Sequence, residues 1–213
     1  MPLFPASNRE RPNDPAHRPR LKTTGGHSGA LATMIRGEKV YLTELDRSNA
    51  EVIRAWLNDP EVHEFLAVGR IPITREAEEQ YYEHQAASDD RHTFVIHVSE
   101  DGRYVGNVGL KDVDLVHRRA ELGLVIGAKE DWGQGYGADA IVACLRFAFD
   151  TLGLHSVRLR AHEDHLRGID LYRRVGFVEV GREREAVFQD GRFADYVVFD
   201  VLDHEFRDRC AGY

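Results

Sequence analysis

The stretch Ile126-Gly127-Ala128-Lys129-Glu130-Asp131-Trp132-Gly133-Gln134-Gly135-Tyr136-Gly137-Ala138-Asp139-Ala140 decides how the rest of the chain is read. It follows an apolar run, Ala120 to Ile126, that reads as a strand, and it opens a helical pattern running from about Gly137 to Thr151. A helix start has backbone N–H groups without intrahelical partners and the positive end of the helix dipole. Clustered glycines let that backbone approach an anion closely, so the segment reads as a phosphate site.

Two familiar phosphate loops compete for it. A Walker A loop is excluded because no Gly-Lys-Ser/Thr follows the glycines. Gly135-x-Gly137-x-x-Ala140 does match the dinucleotide pattern GxGxxA. In that fold, however, the glycines follow directly on the strand end, whereas Lys129 to Trp132 intervene here, and the elements upstream read as antiparallel hairpins.

Outward from the loop, Lys39 to Leu45 alternates as a strand. Ser48-x-x-Glu51 has capping-box spacing ahead of Val52, Ile53, Trp56 and Leu57, and Asn58-Asp59-Pro60 closes that helix. Thr74 caps a second helix through about Ala87. Thr93 to Ser99 and Tyr104 to Val116 flank the turn Glu100-Asp101-Gly102. Downstream come a strand Val157 to Ala161, a helix Leu166 to Val175, and strands Phe177 to Phe188 and Phe193 to Leu202 around Gln189-Asp190-Gly191-Arg192. The expectation is a mixed α/β (α+β) single domain over 34–207. Residues 1–33, which hold five of the seven prolines, read as a disordered tail with Met34 as an alternative start, and 208–213 as a C-terminal tail.

The 213 residues suffice for one sizeable core. No apolar run reaches bilayer length and no signal peptide is legible, so no membrane partner is expected and a cytoplasmic location is. Two cysteines give neither a disulfide framework nor a CxxC site. A formal charge of -8 argues against nucleic acid and leans toward cationic substrates. His162-Glu163-Asp164-His165 lacks the HExxH spacing of a zinc site, and no metal is expected.

Three ordered segments carry a family likeness: Glu121-Leu-Gly-Leu-Val-Ile-Gly127, Trp132-Gly-Gln-Gly-Tyr-Gly-Ala138 and Leu171-Tyr-Arg-Arg-Val-Gly-Phe177. With Ile35-Arg36-Gly37 and the Asp190-Gly191-Arg192 hairpin, the chain from about Ile35 to Phe206 resembles the GCN5-related N-acetyltransferase (GNAT) family. Its ribosomal-protein and spermidine acetyltransferase branch is the most similar. The resemblance implies a central, mostly antiparallel sheet splayed at the cofactor site and flanked by helices. It also implies acetyl-CoA as co-substrate, with the pyrophosphate on the backbone of Gly133, Gln134, Gly135, Tyr136, Gly137 and Ala138. Leu124, Val125 and Ile126 would pair with the pantetheine arm as an added strand, and an amide there would polarise the thioester carbonyl.

On this likeness an acetyl group moves to a primary amine of a protein N-terminus, a polyamine or an aminosugar, by direct attack through a tetrahedral intermediate. Glu121 is the candidate general base and Tyr172 the acid that protonates the leaving thiolate. The acceptor pocket would draw on Trp56 to Ile73 and the Phe188 to Phe193 hairpin. Trp132 stands where the family has Gln or Arg. His165 stands where it has a pantetheine-contacting asparagine, and Gly168 where a small polar residue is common. These departures keep a non-catalytic acyl-CoA-binding module in view as the alternative. The likeness also admits a homodimer, although no sequence feature marks an interface.

Overall fold

The computed structural model describes residues 35–66, 71–87 and 92–210. The tail and start expected within residues 1–34, and residues 211–213 of the C-terminal tail, lie outside them. Eight strands form one sheet: β1 (Ile35–Arg36), β2 (Val40–Glu44), β3 (His92–Val98), β4 (Tyr104–Asp114), β5 (Arg119–Ile126), β6 (Ser156–His162), β7 (Val178–Gln189) and β8 (Arg192–Leu202). Their order across the sheet is β1-β2-β3-β4-β5-β6-β8-β7. The helices are α1 (Ala50–Leu57), α2 (Pro60–His63), α3 (Arg75–Ala87), α4 (Tyr136–Arg146), α5 (Leu166–Val175) and α6 (Asp203–Cys210).

Every strand pair is antiparallel except β5 with β6. Among the described residues there is thus no βαβ series of adjacent parallel strands, and the dinucleotide reading of Gly135, Gly137 and Ala140 lacks the sheet it requires. The mostly antiparallel, helix-flanked sheet expected from the family likeness is the one found.

Alternation sets the two faces of the sheet. Along β6, Val157, Leu159 and Ala161 are buried while Arg158 and Arg160 are exposed; along β5, Ala120 and Leu122 enter the core while Glu121 points the other way. The core gathers around α4, whose Ala140, Ile141, Ala143, Cys144 and Leu145 are all buried. Leu42, Ile96, Leu110, Leu159 and Phe199 are among its largest fully buried side chains. Each stabilises the fold by about 1.5–3 kcal/mol through removal from water.

Local signals act largely as read. Thr74 Oγ1 accepts from Ala77 N at 3.2 Å, capping α3. Asp190 and Gly191, with φ of 52° and 77°, form the tight turn between β7 and β8, the conformation for which Asp-Gly is selected. Two details differ. The Ser48–Glu51 capping box is not made: Asp46 caps the short 3₁₀ turn by accepting from Ser48 N, and Glu51 pairs with Arg54 and Arg75 instead. Asn58-Asp59-Pro60 ends α1 and at once starts α2, because Asp59 caps it and Pro60 sits at its first turn, where no N–H is needed. The helix expected to reach Thr151 does so by finishing α4 in a wide π turn, Phe147–Thr151.

Candidate active site

Parallel pairing between β5 and β6 lasts three rungs, Arg119↔Ser156, Ala120↔Val157 and Glu121↔Arg158. Beyond it, Leu122–Ile126 remain bonded to β4 and Leu159–His162 to β8, but the two strands no longer bond each other. The sheet therefore forks. Its interior edge on β5 carries Leu124, Val125 and Ile126, and a cleft of about 1180 Å³ opens beside it. Backbone groups turned toward such an edge can bond an extended ligand, apart from the Ile126 carbonyl, which already accepts from a side chain.

The fork leads straight to the glycine loop. Gly133 and Gly135 have φ of 85° and 86°, a left-handed conformation that side chains with a Cβ rarely adopt. A Cβ on Gly133 would point into open space, whereas one on Gly137 would come 3.3 Å from Leu124, so the helix start lies tight on β5. Gly135 is the N-cap of α4 and no side chain caps that end, which leaves the amides of Tyr136, Gly137 and Ala138 for an anion.

Three side chains hold this arrangement, of which the sequence patterns marked only Trp132, and that as a departure. Asp139, in the first turn of α4, accepts from the amides of Glu38, Lys39 and Val40 at 3.0, 2.7 and 2.9 Å, clasping the helix to the turn before β2. A Cβ on Gly37 would collide with that carboxylate. Lys39 Nζ donates to the carbonyl of Gln134 at 3.0 Å, placing a cation on the loop. Trp132, at the departure from the family pattern, donates its indole N–H to the carbonyl of Ile126 at 2.8 Å, and Arg167 lies over its ring, 4.5 Å from the centroid.

His165 is the N-cap residue of α5 and stacks on Phe65 at 4.6 Å. Burial, then the charges of Arg167 and His162, pushes its imidazole down to about 4, so it is neutral near pH 7. A Cβ on Gly168 would fall on that ring, which makes the two departures a single structural event. Two turns along α5, Tyr172 also lines the cleft and packs against Phe177 and Phe199, both at 6.2 Å. Burial pushes its hydroxyl up to about 12. The phenol is therefore protonated throughout the neutral range, the form an acid requires.

Glu121 occupies the last rung before the fork and is 4% exposed. Its carboxylate lies 2.9 Å from Lys111 Nζ on β4, and 3.3 and 3.1 Å from the guanidinium groups of Arg158 and Arg160 on β6. Burial alone would raise its pKa. The hydrogen bond and charge of Lys111, followed by Arg160, outweigh burial and hold the carboxyl below the usual range. A general base is served by the opposite shift, and in this geometry Glu121 ties β4, β5 and β6 together where the sheet divides.

The polar turn 162–165 is likewise occupied locally. Asp164 N donates to His162 Nδ1 at 3.2 Å, Glu163 accepts from Asp195 N at 2.9 Å, and Asp164 pairs with Arg192. Among the described residues no group of three His, Cys, Asp or Glu side chains is placed to hold a metal ion. Nor is any helix there long and apolar enough to cross a membrane. Glu61, Glu64, Phe65 and Leu66 line the cleft from the α2 side, and Gln189 Nε2 donates to the Glu64 carbonyl at 3.1 Å, so the β7–β8 hairpin meets this wall. Residues 67–70 of the expected acceptor segment lie outside the described residues.

Comparison with known proteins agrees with this geometry. The chain is 27% identical over 179 residues to a spermidine N(1)-acetyltransferase of Vibrio cholerae, covering 84% of this chain and 95% of that one. It is 23% identical over 171 residues to the uncharacterized N-acetyltransferase p20 of Bacillus licheniformis, covering 79% and 96%. Its fold matches the crystal structure of the Vibrio cholerae spermidine N-acetyltransferase in complex with CoA and spermine with a TM-score of 0.74, at 24% identity over 79% of this chain and 98% of that one. Residues 39–178 match the family described as Acetyltransferase (GNAT) domain. A fork, a glycine helix start and the matching family agree on one conclusion: the chain belongs to the GNAT family and is an acetyltransferase.

Proposed function

We propose that the protein transfers an acetyl group from acetyl-CoA to a primary amine, with polyamines first among the acceptors. The observation that carries the reading is the continuity of the free β5 edge with the uncapped start of α4. An extended amide-bearing arm suits the first and a diphosphate the second, and the two are joined in acetyl-CoA in that order. Gly133, Gln134, Gly135, Tyr136, Gly137 and Ala138 would hold the diphosphate, and Leu124, Val125 and Ile126 the arm. The neutral imidazole of His165 has one donor and one acceptor nitrogen to offer that arm.

Acyl transfer asks three things of the chain. A donor must face the thioester oxygen, and the β5 edge supplies backbone amides. The amine must arrive without its proton. The leaving sulfur must be protonated, and Tyr172 is the acid we assign to it. Glu121 enters as a positioning residue that fixes the fork.

Support for polyamines comes from the relatives named as spermidine acetyltransferases and from Glu64 on the cleft wall, where a second ammonium would be attracted; Glu61 beside it is paired with Lys129 at 3.2 Å. The cysteine pattern suits a reducing compartment, and we place the protein in the cytoplasm. The test is thiol release from acetyl-CoA with spermidine, an aminoglycoside, an aminosugar and an N-terminal peptide side by side. Turnover with spermidine at the highest kcat/KM is expected. Tight CoA binding with no turnover on any amine would favour the binding module, and no CoA binding at all would overturn the assignment.

A further inference from the structure

We propose that Arg167, carried on the indole face of Trp132, binds the phosphates of the cofactor; the inference rests on the acetyl-CoA reading above. The loop Gly133–Ala138 contains no cationic side chain, so its own contribution to an anion is limited to amides and the helix dipole. Arg167 reaches it from a different element. It lies in the first turn of α5 and projects over Trp132, the residue immediately before the loop, with Cζ 4.5 Å from the ring centroid. The platform is fixed, because the indole N–H is bonded to the Ile126 carbonyl at 2.8 Å.

How the guanidinium is held matters more than that it is held. Arg160 is engaged through its N–H groups with Glu121 and Glu183, Arg192 with Asp164, and Arg209 with the Arg174 carbonyl. Arg167 forms no ion pair with any described carboxylate, and its interaction is with the face of a neutral ring. Stacking orients the guanidinium plane while leaving its charge uncompensated and its donors unused, the state in which it can meet phosphate oxygens two at a time. Arg167 also borders a second recess of about 560 Å³ with Asp170, Arg173 and Arg174; Arg173 pairs with Glu179 at 2.9 Å, so Arg174 is the further cation beside it. A ligand with phosphates at two points along its length fits this disposition, as CoA does with its diphosphate and 3′-phosphate.

The test is calorimetric titration of the full-length wild type and Arg167→Gln with CoA, 3′-dephospho-CoA and pantetheine, with the melting temperature of each ligand-free protein as control. Loss of a charge-assisted pair is expected to weaken CoA binding about tenfold or more, with pantetheine binding and the melting temperature unchanged. Arg167→Lys, which keeps the charge but loses the planar stack, should fall between the two. A tenfold ratio that persists with 3′-dephospho-CoA puts the guanidinium on the diphosphate, and a ratio that vanishes puts it on the 3′-phosphate; either result supports the assignment. Equal CoA affinity of wild type and Arg167→Gln overturns it, as does an equal loss for pantetheine, which would make Arg167 structural. If wild type fails to bind CoA, the acetyl-CoA reading itself falls and takes this assignment with it.

Discussion

The imidazole of His165 fills the space that a side chain on Gly168 would need. The two residues lie one helical turn apart at the start of α5, and Phe65 closes the far side of the ring by stacking on it at 4.6 Å. Gly168→Ser should therefore expel the ring or strain the helix, at a cost of roughly 1–3 kcal/mol in chemical denaturation. His165→Asn in the same chain should recover part of that loss. The double variant is thus expected to be more stable than the sum of the single effects, and strict additivity would show that the two positions are independent.

Tyr172→Phe keeps the ring between Phe177 and Phe199 and removes only the hydroxyl. Under the proposed acid role, kcat for thiol release should fall by roughly 10²–10⁴-fold, with KM for acetyl-CoA and the melting temperature nearly unchanged. Because the hydroxyl titrates at about 12, its proton is kept as pH rises through the assay range. The rate should accordingly climb with pH as the amine loses its proton, with no fall assignable to this residue below about pH 11. Loss of KM and kcat together, with a lower melting temperature, would assign the hydroxyl to packing instead.

Glu121→Gln tests the fork. Its folded pKa is lowered, so its stabilising contribution is present above the unfolded value and is lost as pH falls through the folded one. The partners are partly exposed, Lys111 at 37% and Arg158 at 52%, and solvent screening limits the effect to about 1–3 kcal/mol near pH 7. Equilibrium unfolding should show that gap shrinking as the pH falls through the lowered pKa of the folded carboxyl, where the wild-type side chain also becomes neutral. If kcat collapses while stability is untouched, the base role returns.

Asp139→Ala releases three amides at once, those of Glu38, Lys39 and Val40. A loss of about 2–4 kcal/mol is expected, since each amide gave up water for a charged acceptor. Hydrogen exchange should quicken at these three amides and at the start of α4. Exchange confined to the β1–β2 turn would show that the clasp does not hold the helix.

Legibility followed the range of the forces involved. The glycine loop, the α5 segment with Tyr172 and the Asp190-Gly191 turn are local, and their residues state their conformations through φ preference and periodicity. The surroundings of Glu121 were not legible, because they are set by Lys111, Arg158 and Arg160, which reach it through the registers of β4 and β6. No spacing in the sequence encodes those registers. Trp132 looked like a deficit at the loop for the same reason, as the guanidinium above it comes from α5, beyond an intervening strand. The short helix α2 was hidden by a correct rule: Asp59-Pro60 does stop one helix, but the same pair is equally suited to begin another.

The fork places a bare strand edge in the middle of the molecule. Outer edges of sheets invite other chains, and such an invitation is a hazard for any concentrated protein. Here only three rungs separate a sealed sheet from an open one, and the open part is flanked by α4 and α5. An edge enclosed in this way is less accessible to a strand of another copy than an outer edge would be.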